Sequence, residues 1–236
     1  MEGPGHAARA LALVEVVACS DFPTQLALSG ALSALGLRAF DAHGHLSFAY
    51  VVTLSLADAA LLIGLMVMFL WLRGERARDV FMGSRPRLPE AVAGLPLTLG
   101  AIVIGATVMG LARTFAPWTH TVERNPLEDV LASGAHAWTF ALVVILAGGV
   151  REELQRAFLL HRFEQDLGGG PFGVVVTSAA FGAGHLLQGV DAALATAALG
   201  AWWGVIYLRR RSALAPIVSH SGFDLLQIVQ FVTLGR

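Results

Sequence analysis

Residues 144–163 read VILAGGVREELQRAFLLHRF, an apolar run that turns without interruption into Arg151, Glu152, Glu153 and Arg156. On a soluble helix these charges would form a solvated face, so the surroundings decide their meaning. Over 236 residues the chain is 56% hydrophobic and only 14% charged, with a mean hydropathy of +0.66. Both fractions lie outside the range of soluble domains. The sequence therefore predicts an all-α, polytopic transmembrane bundle with the charged stretch at membrane depth.

Working outward, runs long enough to cross a bilayer, about 20 residues at 1.5 Å each, cover 48–72, 91–114, 136–162, 172–189, 192–208 and 213–234. A weaker pair, about 7–19 and 22–40, is broken at Asp21-Phe22-Pro23-Thr24, where Asp21 can cap and Pro23 can open the next helix. The expectation is about 6 to 8 spans in a single integral membrane domain, 1–236, with no repeat and no soluble domain. The N-terminus makes a poor cleaved signal peptide, because Glu15 interrupts its apolar run, and is read as retained.

Charge gives the orientation. Every basic residue is Arg, which excludes lysine chemistry, and no basic tail points to nucleic acid. Arg73, Arg76, Arg78, Arg85 and Arg87 fill one loop, and Arg209-Arg210-Arg211 follow another span. If the intervening helices alternate, both loops fall on one side, so loops 73–90 and 209–212 are assigned to the cytoplasm. The lack of Lys and the Ala, Leu, Gly and Arg bias point to a GC-rich bacterial genome and an inner membrane. The single cysteine, Cys19, closes no disulfide.

Three pairs stand out in the C-terminal half: Glu152 with Arg156, Phe181 with His185 in FGAGH, and His220 with Asp224 in HSGFD. Each is spaced i,i+4 and so shares a helix face. Counted from the cytoplasmic ends, Glu152 lies about 15 Å deep, His185 about 21 Å and His220 about 14 Å; tilt absorbs the difference. Ionisable groups at such depth cost at least about 2.5–3.5 kcal/mol each, so they face the interior, pair and serve a function. The plain alternative is that the pairs merely knit helices together.

The order Glu-Glu with a following Arg, then Phe-x-x-x-His, then His-x-x-x-Asp, each on a separate late helix, resembles the CPBP family (CAAX prenyl protease and bacteriocin-processing, or Abi, intramembrane proteases). The resemblance covers about residues 130–230, with 1–115 as additional N-terminal helices. FGAGH and HSGFD match the second and third motifs directly. The first motif departs: the family usually has Glu-Glu-x-x-x-Arg, whereas only two residues separate Glu153 from Arg156. Anchoring on Arg156 makes Glu152 the second glutamate and puts Arg151 in the first place; anchoring on the pair makes Glu152 the first. Glu152 belongs to the motif either way.

The resemblance implies peptide hydrolysis within the membrane, on a membrane-associated peptide or protein among lipid. Hydrolysis needs a base, an oxyanion stabiliser and an acid for the leaving amine. The assignment is Glu152 as base with Glu153 beside it, Arg156 holding the base, His185 holding the water, and His220 as oxyanion donor oriented by Asp224. Glu152, His185 and His220 could instead hold Zn²⁺; without an HExxH pair, the metal-free form is preferred. A transporter or proton relay is the competing class, for which Glu15 and Asp58, alone in apolar runs, speak; the absence of a repeat speaks against it. A catalytically degenerate scaffold is the third. His43 and His45 have metal-like spacing but no third ligand nearby.

Overall fold

A computed structural model describes residues 5–123, 125–131 and 134–234. The described chain is helical, and its only β pairing is an isolated bridge between Phe40 and Leu46. In chain order the helices are α1 (His6–Ala18), α2 (Phe22–Ala34), α3 (Phe48–Leu72), α4 (Ala77–Phe81), α5 (Arg87–Phe115), α6 (Glu128–Leu131) and α7 (Gly134–Val143). A π-helical segment, Val144–Glu152, then runs into α8 (Glu153–Asp166), followed by α9 (Gly170–Gly184), α10 (Val190–Arg210) and α11 (Leu214–Leu234).

Four helices, α3, α5, α10 and α11, have the length and apolar content to cross a membrane, and α1 with α2 forms a fifth candidate bent by 41°. Leu88, Leu95, Leu99 and Val103 on α5 and Val67, Met68 and Trp71 on α3 remain exposed, an apolar exterior that suits lipid rather than water. The chain is thus an integral membrane protein. The stretch 136–162 differs from the other expected spans in having three pieces, α7, the π segment and α8, and α9 has only 15 residues. Hydropathy measures apolar content and is blind to where backbone register changes.

α8 is the inner helix. Leu154, Ala157, Phe158, Leu159, Leu160 and Phe163 are buried, and so are Glu153, Arg156 and Arg162. Its apolar side packs on Leu62, Met66 and Leu70 of α3 and on Val80 and Phe81 of α4. Around it α10 lies against α9 and α5, and α11 against α5 and the π segment. Two glycines set the last contact. A Cβ on Gly149 would come 1.9 Å from Ser221 Oγ, and one on Gly148 2.7 Å from Asp224 Oδ2. Only hydrogen at both positions lets the π segment meet α11 this closely.

The two arginine-rich loops lie together at one end of the bundle, as alternation of the spans requires. The Tyr207 hydroxyl donates to the Val80 carbonyl at 3.0 Å, and Ala213 N–H to the Phe81 carbonyl at 2.8 Å. Arg210 grips both oxygens of Glu90 at 2.8 and 2.9 Å. A second network ties α1 and the α3–α4 link to α8. Arg73 bonds Glu15 at 2.8 Å and Asp166 at 2.7 Å. Arg162, with no exposed surface, pairs with Glu15 and with Glu75. Glu15, isolated in its apolar run of sequence, therefore has two arginine partners that link α1 to α8 and to the end of α3.

At the α1–α2 break, Pro23 sits in the first turn of α2 as expected. Asp21, however, makes no side-chain cap. Its φ is +79°, a left-handed conformation costing a non-glycine residue about 1–2 kcal/mol. Its carboxylate accepts from Gln25 Nε2 at 2.8 Å and faces Arg151 Nη1 at 3.3 Å. A buried cation outbids the cap.

Candidate active site

The site forms where the π segment gives way to α8, opposite α11. Glu153, the first α-helical residue, is 1% exposed and pairs with Arg156 one turn on. Its Oε1 also accepts from His220 Nδ1 at 2.8 Å. That bond fixes the ring and leaves Nε2 as its other face. Nε2 lies 3.8 Å from Glu152 Oε2 and 3.7 Å from Asp224 Oδ2, beyond direct hydrogen bonding. Glu152 and Asp224 keep 15% and 23% of their side chains exposed, so the two loosely partnered carboxylates are also the accessible ones.

Two expected pairings change. Arg156 reaches Glu153, three residues away, rather than Glu152, four away, because Glu152 closes the widened π turn and Glu153 opens the tighter α turn. The residue that orients His220 is likewise Glu153, which occupies Nδ1, while Asp224 approaches Nε2. Of the two motif alignments, this contact favours anchoring on the glutamate pair, with Glu153 as the glutamate held by arginine.

Aromatic rings complete the wall. Trp203, 1% exposed, stacks on His220 with centroids 3.9 Å apart and planes at 15°, and its Nε1–H donates to Ser219 Oγ at 3.1 Å. Phe181 meets His220 edge-on at 6.2 Å and His185 at 4.8 Å. The Arg156 guanidinium lies 4.7 Å over the Phe181 ring and 5.7 Å from that of Trp203, within cation–π range. Trp203 lies on α10 and His220 on α11, so no spacing within one helix links the two.

His185 lies at the C-terminal end of α9, where its Nδ1 bonds the Phe181 carbonyl at 2.8 Å. The carbonyl can only accept, so Nδ1 carries a hydrogen, and in the neutral ring Nε2 holds the lone pair. The Phe181 ring makes edge contacts with both His185 and His220. Among the described residues no group of three or more His, Cys, Asp or Glu side chains is arranged to hold a metal ion, so Glu152, His185 and His220 do not gather as one ligand set. His43 and His45 give their backbone N–H groups to Asp41 at 2.8 and 2.9 Å, a local turn.

Fold and site thus describe a helical membrane protein in which Glu152, Glu153 and Asp224 surround His220. Residues 134–226 match the family model of Rce1-like proteins, described as type II CAAX prenyl endopeptidase Rce1-like. This is the CAAX protease family that the three motifs resemble, and at family level it supports a CAAX-type intramembrane endopeptidase. The matched segment contains every candidate site residue and excludes α1 to α6. No curated protein and no solved structure matches the chain.

Proposed function

We propose that the chain hydrolyses a peptide bond of a membrane-associated peptide, with Glu152 activating the water. The observation that carries this reading is the division of labour between adjacent glutamates. Glu153 is consumed by Arg156 and His220, whereas Glu152 is accessible and 3.8 Å from His220 Nε2. A separation of that size suits groups that share a water molecule. Glu152 takes a proton from this water as its oxygen attacks the scissile carbonyl carbon, with His185 Nε2 accepting the water's second hydrogen bond.

The carbonyl electron pair moves onto oxygen, and protonated His220 donates to it from Nε2. Trp203 and Glu153 hold the ring still meanwhile, so little reorganisation accompanies the charge. Protonated Glu152 then delivers its proton to the amide nitrogen, the oxyanion's electron pair re-forms the carbonyl as the C–N bond breaks, and a carboxylic acid and an amine leave. Asp224 opposes the imidazolium charge, and Arg156 neutralises Glu153.

The test compares membrane-fraction peptides from cells expressing the wild type, Glu152→Gln or His185→Ala at matched abundance. Cleavage products confined to the wild type support the reading and reveal the substrate; identical profiles with both variants folded overturn it. Stoichiometric zinc in full-chain protein purified without chelator would replace the metal-free mechanism.

A further inference from the structure

One cluster joins the site to residues outside the family-matched segment. Asp21, at the α1–α2 break, and Asp58, within α3, both face the guanidinium of Arg151, at 3.3 and 3.8 Å. Arg151 Nη1 also donates to Gln155 Oε1 at 3.1 Å, and Gln155 Nε2 donates to the Cys19 carbonyl at 2.7 Å. The guanidinium is thereby held by α2, α3 and α8. Its Nη2 lies 3.6 Å from Glu152 Oε1. Consecutive helical residues ordinarily point to different sides; at the end of the π turn these two side chains meet.

Stability alone does not account for the cluster. Asp58 is 1% exposed and Arg151 5%, and burying such ions costs several kcal/mol each unless contacts are close. The Arg73 bonds to Glu15 and Asp166, at 2.8 and 2.7 Å, are close. Those of Arg151 to Asp58 and Glu152, at 3.8 and 3.6 Å, are not, and neither carboxylate oxygen of Asp58 has a hydrogen-bond partner among the described residues. The cation is shared between anchors on one side and a motif carboxylate on the other.

We propose that Arg151 is a positioning residue for Glu152, clamped by Asp21 and Asp58, so that α2 and α3 are part of the catalytic assembly although they lie outside the matched segment. The inference rests on the reading of Glu152 as base. Asp58 holds the guanidinium from behind, and the guanidinium fixes the direction in which the Glu152 carboxylate faces His220 and the water they share. The carboxylate also faces His220 and lies near Asp224, so without Arg151 it turns toward the imidazole and leaves the attacking geometry.

The experiment measures kcat and KM of full-chain protein in lipid nanodiscs on the peptide identified from the membrane-fraction comparison. Arg151→Gln alone strands the buried Asp58 and can unfold, so the decisive variant is Arg151→Gln with Asp58→Asn, which removes the buried cation and its buried anchor together. The expected result is a kcat about 100-fold lower, the loss typical of a misplaced reacting group, with KM little changed and a melting temperature close to wild type. Arg151→Lys, which keeps a cation at the clamp, recovers most of that loss. Unchanged kcat per folded molecule in the double variant overturns the proposal alone, as does a lysine variant no better than the glutamine one. A wild type that cleaves nothing overturns the protease reading and the proposal with it.

Discussion

The molecule contains two buried arginine–carboxylate networks, and they are built differently. At the loop end, Arg73 and Arg162 bind Glu15, Glu75 and Asp166 with direct contacts throughout. At the site, only Glu153 is held so tightly, and Glu152 and Asp224 stand 3.6–3.8 Å from their nearest partners. Ions in direct contact with their partners act as joints. Ions left short of their partners have bonding capacity for something else, and here they are also the exposed members of their cluster.

That contrast can be broken most directly at the base. Glu152→Gln is expected to lower kcat about 10³-fold or more, within the range for loss of a general base, and to leave the melting temperature near wild type; full cleavage of a verified substrate would end the assignment. The joint should respond the opposite way. Glu15→Gln leaves Arg162 and Arg73 short of a buried counter-charge, so stability should fall by about 3–5 kcal/mol, read as a lower melting temperature in detergent, with cleavage per folded molecule retained. If both substitutions act on stability alone, the two networks are of one kind.

Gly149→Ala sharpens the geometric side of the comparison. Its Cβ would collide with Ser221, pushing the π segment off α11, so a loss of about 10–100-fold in kcat is expected with about 1–3 kcal/mol of stability. Trp203→Phe removes one buried hydrogen bond and part of the stacking on His220, about 0.5–1.5 kcal/mol, readable in thermal unfolding.

The smallest effect is in acid. Burial pushes the Glu75 carboxyl up, but bonds from Gln165, Arg162 and His161 outweigh it and hold the group below its ordinary value of 4.5. A carboxyl lowered in the folded state stabilises above its unfolded value, and that stability is lost as pH falls through the folded one. Melting temperature should therefore be flat from neutrality to about pH 5 and decline below about pH 4.5, and Glu75→Gln should flatten part of the decline.

Much of the site was readable because its motifs repeat at i,i+4, a spacing any helix converts into a shared face. That logic linked Glu152, His220 and Asp224 to one interior. It did not extend across helices: the stacking of Trp203 on His220, the Nδ1 bond from His220 to Glu153 and the union of Asp21, Asp58 and Arg151 join residues far apart in the chain, and the bond from Gln155 to the Cys19 carbonyl spans 136 positions. Nor does apolar patterning reveal a π turn, which moves Glu152 and Glu153 into unlike positions although they adjoin. The shortened first motif was puzzling on a uniform helix; with Glu153 opening α8, an i,i+3 contact to Arg156 closes the same pair.

The buried charges of α8 also constrain how the chain is made. Arg151, Glu153, Arg156 and Arg162 would each cost about 2.5–3.5 kcal/mol in lipid alone, too much for this stretch to enter the bilayer unaided. The carboxylates that face Arg151 and Arg162 from other elements, Glu15, Asp21, Asp58 and Glu75, all precede them in the chain. Synthesis from the N-terminus therefore brings these carboxylates out before the arginines they meet.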